Sequence, residues 1–241
     1  VVCASSISLQ SYEASAESPG RYESPEHGYS VAIPAGWKKI PQEVVKETVG
    51  RVIKPGQVFK FEAAFEPKSN PTAFSGPYML LQVTPYENLG GEQPNALEIR
   101  AILREMGTVD ILEETEKSMT EEGKLHLRGA KVGEVDYDPT TRTYATRIDL
   151  DSTTGAMRTQ VQGRFGHLAM VQLNFYSPTS SWASNRPAYE QVAGTIEFSD
   201  EAAYKDDIWT SLPDVLRSVL IVGGLGLLVG LLALLFERAR D

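Results

Sequence analysis

Apolar and polar residues alternate through Phe59-Lys-Phe-Glu-Ala-Ala-Phe65, placing Phe59, Phe61, Ala63 and Phe65 on one side and Lys60 and Glu62 on the other. A period of two is that of a half-buried β-strand. Tyr29 to Ile33 reads as a shorter strand, ended by the turn Pro34-Ala-Gly-Trp37, which carries a large aromatic into the core. Tyr78 to Val83 is a third strand, closed by Pro85. The longer strands predict a sheet with one face on a core.

The period then changes. Asn95 with Glu98 three residues on is a capping-box-like helix start, and Ala96, Ile99, Ile102, Leu103 and Met106 form one stripe that Gly107 ends. After the acidic run Glu113 to Glu122, strands resume at Lys124–Val132, Thr143–Leu150, Ala156–Gly163 and Leu168–Tyr176. Gly155 and Gly166 mark turns between the last three, which predicts an antiparallel meander. A last helix is expected from Arg186-Pro187, with proline at its first position. The pattern is α+β: a single antiparallel sheet covered by two helices.

The longest apolar run is different again. Ser218-VLIVGGLGLLVGLLALLF carries no charge before Glu237. Its 19 residues, at about 1.5 Å per residue, span roughly the hydrocarbon core of a bilayer, so they predict one C-terminal transmembrane helix. Gly223, Gly226, Gly230 and Ala233 fall within about 80° of one another on that helix. Gly226-xxx-Gly230 is the spacing that lets a second helix backbone approach closely in lipid, although glycine is also common in membrane helices generally. Trp209, just ahead of the run, suits an interfacial anchor.

Composition narrows the partners. The chain has 241 residues and a net charge of −9, and the segment from Ser218 contributes none of it, since Glu237 and Asp241 balance Arg238 and Arg240. An acidic domain argues against nucleic acid and against lying flat on an anionic membrane. Cys3 is the single cysteine, so the fold rests on its core rather than on disulfides. Val1-Val2-Cys3-Ala4 resembles a chloroplast transit-peptide junction; a lipoprotein signal ending at Cys3 is the competing reading. The organisation expected is a leader at 1–26, a domain at 27–200, a linker at 201–217, the membrane helix at 218–236 and a tail at 237–241.

The opening Gly28-Tyr29-Ser-Val-Ala-Ile-Pro34-Ala-Gly36-Trp37 resembles the start of PsbP-family domains. The close is similar too: three consecutive strands, Ser181-Trp182, a short helix and a final strand at Thr195-Ile-Glu-Phe198. The resemblance covers roughly residues 27 to 200. It implies an accessory role in a photosynthetic complex rather than catalysis, and it departs from the family in its membrane helix.

Residues able to carry chemistry are sparse. No metalloprotease, P-loop, dithiol or nucleophile-elbow motif is present. His27, beside Glu23 and Glu26, could hold a divalent metal, but reads more simply as a solvated leader residue. His126 and His167 are isolated. The acidic run lacks calcium-loop spacing and is a solvated face or a docking patch. The loop Lys54–Gly56, and Pro67–Pro77 with Phe74 at its middle, are candidate contact loops.

The function expected is a non-enzymatic, membrane-anchored accessory or assembly subunit of a thylakoid complex, with no cofactor. Photosystem II is favoured over photosystem I or another complex. A tethered enzyme or small-ligand carrier, or a bacterial surface protein of similar fold, is the alternative. Family analogy puts the domain in the lumen; the lack of a lumenal signal favours the stroma.

Overall fold

The computed structural model describes residues 20–52, 60–89, 93–108, 127–153 and 155–205. These residues make two antiparallel sheets rather than the one expected. A small sheet has the order β1-β2-β11, from β1 (Arg21–Ser24), β2 (Tyr29–Ala32) and β11 (Glu197–Phe198). The large sheet has the order β3-β4-β5-β10-β9-β8-β6. Its strands are β3 (Trp37–Lys39), β4 (Lys60–Pro67), β5 (Tyr78–Pro85), β6 (Leu127–Val132), β8 (Thr143–Ser152), β9 (Gly155–Phe165) and β10 (Ala169–Pro178), with β7 (Asp136–Asp138) pairing β8 beyond β6. Among the described residues three α-helices accompany them: α1 (Gln42–Val52), α2 (Ala96–Thr108) and α3 (Trp182–Val192).

The predicted meander is present as β8-β9-β10, and β10 then pairs β5 across the middle of the sheet. That pairing accounts for the main departure from the expected burial. Every residue of β5 is buried, as are nine of the ten in β10, so these strands have cores on both faces. One core contains Ile99, Ile102 and Leu103 of α2 and Val45 of α1, with Leu80, Ile148, Val161 and Tyr176 of the sheet. The other sets Tyr22, Tyr29 and Val31 of the small sheet and Tyr189 and Val192 of α3 against Phe65, Leu81, Val171 and Phe175. The central strands therefore lie between two layers, whereas β8 alternates buried and accessible residues and has a core on one face only.

Local chemistry explains most elements. Asn95 Oδ1 accepts the N–H groups of Leu97 (2.9 Å) and Glu98 (3.1 Å), and the Glu98 carboxylate accepts the Asn95 N–H (2.7 Å), which is the reciprocal cap expected at the start of α2. Ala96 is exposed and does not share the buried stripe. α1 was not expected: its Val-Val-Lys-Glu-Thr-Val core is rich in β-branched residues that favour strands, yet Val45 and Thr48 bury one helical side. α3 begins four residues before Arg186, and Pro187 sits inside it rather than at its start. The Trp182 ring packs 5.3 Å from Tyr189, holding the first turn despite the backbone hydrogen bond that proline cannot donate.

The domain is longer than the expected 27–200. β1 lies within the segment expected as a leader and pairs β2 from Arg21↔Ala32 to Ser24↔Tyr29, with Tyr22 buried. At the other end Ala202 is buried, and Lys205 N–H donates to Gln93 Oε1 at 2.8 Å. Among the described residues no helix is long and apolar enough to cross a membrane; the expected span at 218–236 lies outside them.

Burial holds the hydroxyls of Tyr29, Tyr78, Tyr86, Tyr144, Tyr176 and Tyr189 well above the ordinary tyrosine pKa. The folded state thus keeps protons that the unfolded chain releases near pH ~10. Stability is fully present below that pH and falls as pH rises above it. Alkaline titration followed by tyrosinate absorbance should show these residues ionising together with unfolding; independent titration at the ordinary tyrosine pKa would contradict their burial.

Candidate functional site

The densest polar cluster grows from an irregularity in β4. Phe61 pairs Gln82 and Ala63 pairs Leu81, so Glu62 is an extra residue in a β-bulge. The bulge changes the parity of the strand. Phe61 joins the α2-side core while Ala63 and Phe65 join the other, so the three do not share one face as alternation predicts. Glu62 is released from the ladder and reaches the small sheet. Its carboxylate accepts Ser24 Oγ at 2.7 Å, meets His27 Nδ1 at 2.9 Å and accepts the Tyr29 hydroxyl.

The side chains of His27 and Glu62 are each only 9% exposed, so His27 is a buried partner and not a solvated leader residue. Burial, and secondarily the Glu62 charge, push the Tyr29 hydroxyl up, which keeps it a proton donor to the carboxylate. At the rim Lys60 Nζ holds both carboxylate oxygens of Glu26, at 2.9 and 3.1 Å. Hydrogen bonding to Lys60, with its charge second, lowers the Glu26 pKa.

Serine, histidine and a carboxylate are the residue types of a nucleophilic triad, but the connectivity here is different. Ser24 donates to Glu62 rather than to the imidazole, so the ring does not draw a proton from the hydroxyl. A metal set of Glu26, His27 and Glu62 brings one donor atom from each within 4.8 Å of the others. Glu62 takes the place in it expected of Glu23, which points outward on β1. Lys60 already holds Glu26, and Ser24 and Tyr29 already occupy Glu62. The cluster is a hydrogen-bonded strut between the two sheets.

Phe74 is not a contact tip. It is 3% exposed, sits edge-on to Tyr78 with centroids 5.1 Å apart, and adopts a left-handed backbone at φ 64°. Its N–H donates to buried Glu66 Oε2 at 2.9 Å, an oxygen that also accepts Asn70 Nδ2 at 3.1 Å. These bonds turn the loop inward, so the ring staples it to the core.

The accessible polar surface lies on the uncovered face of the large sheet. Cross-strand neighbours there are Ala145↔Gln162, Arg147↔Gln160 and Asp149↔Arg158, the last closed by an ion pair at 2.6 Å. α3 walls this face with Trp182 and Arg186, leaving a groove of about 350 Å³ floored by Phe175 and Tyr189. His167 is half-buried against Gln93 at 3.0 Å, its pKa lowered by burial and then by Lys205, and is far in sequence from the other histidines. The expected helix-packing residues Gly223, Gly226, Gly230 and Ala233, the anchor Trp209, the acidic run, His126 and the Lys54–Gly56 loop lie outside the described residues.

The residues that carry the family resemblance occupy demanding positions. Gly28 has φ 62°, and a Cβ there would lie 2.7 Å from Ala202 Cβ and 2.9 Å from Ser199 Oγ. Its carbonyl accepts the Ser199 N–H at 2.8 Å, tying the opening motif to the close of the domain. Trp37 packs edge-on to Tyr189 of α3 at 6.3 Å.

No family model and no curated protein sequence matches the chain. Among solved structures it is similar to a cyanobacterial PsbP from Synechocystis sp., at 11% identity and a TM-score of 0.48, over 77% of this chain and 96% of that one. It is also similar to LpqN, involved in cell envelope biogenesis in Mycobacterium tuberculosis, at 9% identity and a TM-score of 0.37, over 76% and 87% of the two chains. A structure from Bacteroides thetaiotaomicron is 13% identical with a TM-score of 0.29, over 76% of this chain and 49% of its own.

Proposed function

We propose that this chain is a non-enzymatic, membrane-anchored accessory or assembly subunit of a thylakoid photosynthetic complex, photosystem II before others. The observation that carries this reading is the uncharged run Ser218–Phe236 with its aligned glycines, joined to a domain that opens on the Gly28…Trp37 motif. A helix with a small-residue face gains from close packing against a second helix in lipid. The connectivity of Ser24, His27 and Glu62 favours a structural cluster over a catalytic one. The open face of β8 and β9 offers the domain's contact surface.

The alternative is a tethered small-ligand carrier, favoured by the groove beside α3, whose volume of about 350 Å³ is that of small-molecule sites. Gly226→Ile separates the two. For an accessory subunit the variant stays in the membrane but loses its partner in mild detergent. A carrier that works alone shows no change, and co-migration as in the wild type would overturn the glycine-face assignment.

A further inference from the structure

Among the described residues two large hydrophobic side chains stand exposed, Leu97 at 76% and Leu168 at 52%. One exposed leucine needs no explanation, but these two share one end of the domain. Leu168 lies in the turn between β9 and β10, and its carbonyl accepts the Tyr86 N–H at 3.1 Å just past β5. Leu97 lies in the first turn of α2, where its N–H donates to Asn95 Oδ1 at 2.9 Å.

Both are tied to Lys205, the last residue described. The N–H of His167, next to Leu168, donates to Ala202 O at 2.7 Å, and its ring meets Gln93 Oε1 at 3.0 Å. That same oxygen accepts the Lys205 N–H at 2.8 Å. Tyr204 OH donates at 2.5 Å to the carbonyl of Pro94, which precedes Leu97 by three residues. From Lys205 only 12 residues lead to the apolar run at Ser218. Trp209, four residues past Lys205, is of the type that seeks the lipid–water interface, and four residues reach at most about 14 Å. With that ring at the interface, the end that carries Leu97 and Leu168 is the part of the domain nearest the bilayer.

Charge decides which lipid. Glu87, beside Tyr86, and Glu201, beside Ala202, are exposed at this end, so it is not a basic patch that seeks anionic headgroups. We propose that this end of the domain docks on the bilayer, with Leu97 and Leu168 entering a surface of zwitterionic or uncharged lipid. The inference rests on the membrane-anchored reading above. Two leucines bury too little area to hold a free domain on a membrane. A short tether raises their local concentration to roughly millimolar, where a weak contact is filled.

The test places the full chain, with Cys3→Ser, in phosphatidylcholine discs whose acyl chains carry a nitroxide near the headgroup. A fluorescent probe is attached in turn through Leu97→Cys, Leu168→Cys, Ala156→Cys and Leu228→Cys. Ala156 is exposed near the far end of β9, nine residues from Phe165 and so roughly 30 Å away. Docking predicts quenching of the probes at the Leu97, Leu168 and Leu228 positions and none at Ala156. Leu97→Glu puts an acid in the first turn of α2, which suits the helix. It should lower the quenching at Leu168 at least about twofold, because a carboxylate stays out of hydrocarbon. Quenching at Leu228 without quenching at Leu97 and Leu168 would overturn the docking and leave the anchor standing. Absence of quenching at Leu228 would overturn the anchor itself and the docking with it. Equal quenching at Leu97 and Ala156, or quenching at Leu97 only after phosphatidylglycerol is added, would also overturn the docking.

Discussion

Gly163→Ala is expected to cost the domain more than about 3 kcal/mol, the upper part of the overpacking range and a large share of a typical stability. Gly163 pairs directly with Tyr144, and a Cβ there would lie 2.2 Å from Tyr144 Cε1, 2.3 Å from Cζ and 2.6 Å from the hydroxyl. Carbon atoms in contact rest at about 3.5–4.0 Å, so either the ring or the strand must move. Neither has room. Tyr144 is 1% exposed, lies against Phe165 at 5.7 Å and reaches Met170 Sδ at 3.5 Å. β8 and β9 are paired without interruption from Thr143↔Arg164 to Ser152↔Gly155.

Denaturant unfolding of the full chain in micelles, followed by near-ultraviolet circular dichroism, should show the midpoint fall sharply. Tyr144→Leu in the same chain should recover part of the loss, because the clash belongs to the ring. An unchanged midpoint for Gly163→Ala would mean that the ring does not cover the glycine.

Glu62→Ala is the second large effect. It takes one acceptor from three buried donors, Ser24, His27 and Tyr29, and removes the link between the two sheets. Removing one partner from a buried charged network costs about 3–5 kcal/mol. Glu62→Gln keeps one acceptor oxygen and should cost less, on the order of 1–3 kcal/mol. The damage should be local first: hydrogen exchange at Tyr22 and Val31 should quicken before that of β5 and β10. Equal protection in Glu62→Ala and wild type would show that the strut holds nothing.

Much of the fold could be read from the sequence where one physical signal dominated. The Asn95–Glu98 cap is local in sequence, and its two residues close on each other as the spacing predicts. The meander follows from alternation and from turn glycines. The second covering layer was not readable, because β5 pairs β10 across some ninety residues (Gln82 to Gln172 is 90 apart) and nothing local announces it. Nor was the bulge. Glu62 sits in an apparently regular alternation, and one extra residue moved Phe61 to the opposite core from Ala63 and Phe65.

The same bulge explains why the histidine reading missed. His27 looked solvated beside Glu23 and Glu26, and its actual partner lies 35 residues away. Phe74 between prolines has the composition of a binding tip. Only the buried acceptor Glu66 turns it inward, through a bond to a backbone N–H that no pattern of side chains reveals.

The central claim, that the chain serves a larger membrane complex through its glycine-faced anchor, is tested most directly by gentle solubilisation of the native membranes. Native gels and mass identification would then show what co-migrates with it. The account predicts co-migration with a photosystem, photosystem II first, and loss of that co-migration in Gly226→Ile. Migration of the wild-type chain alone would contradict it.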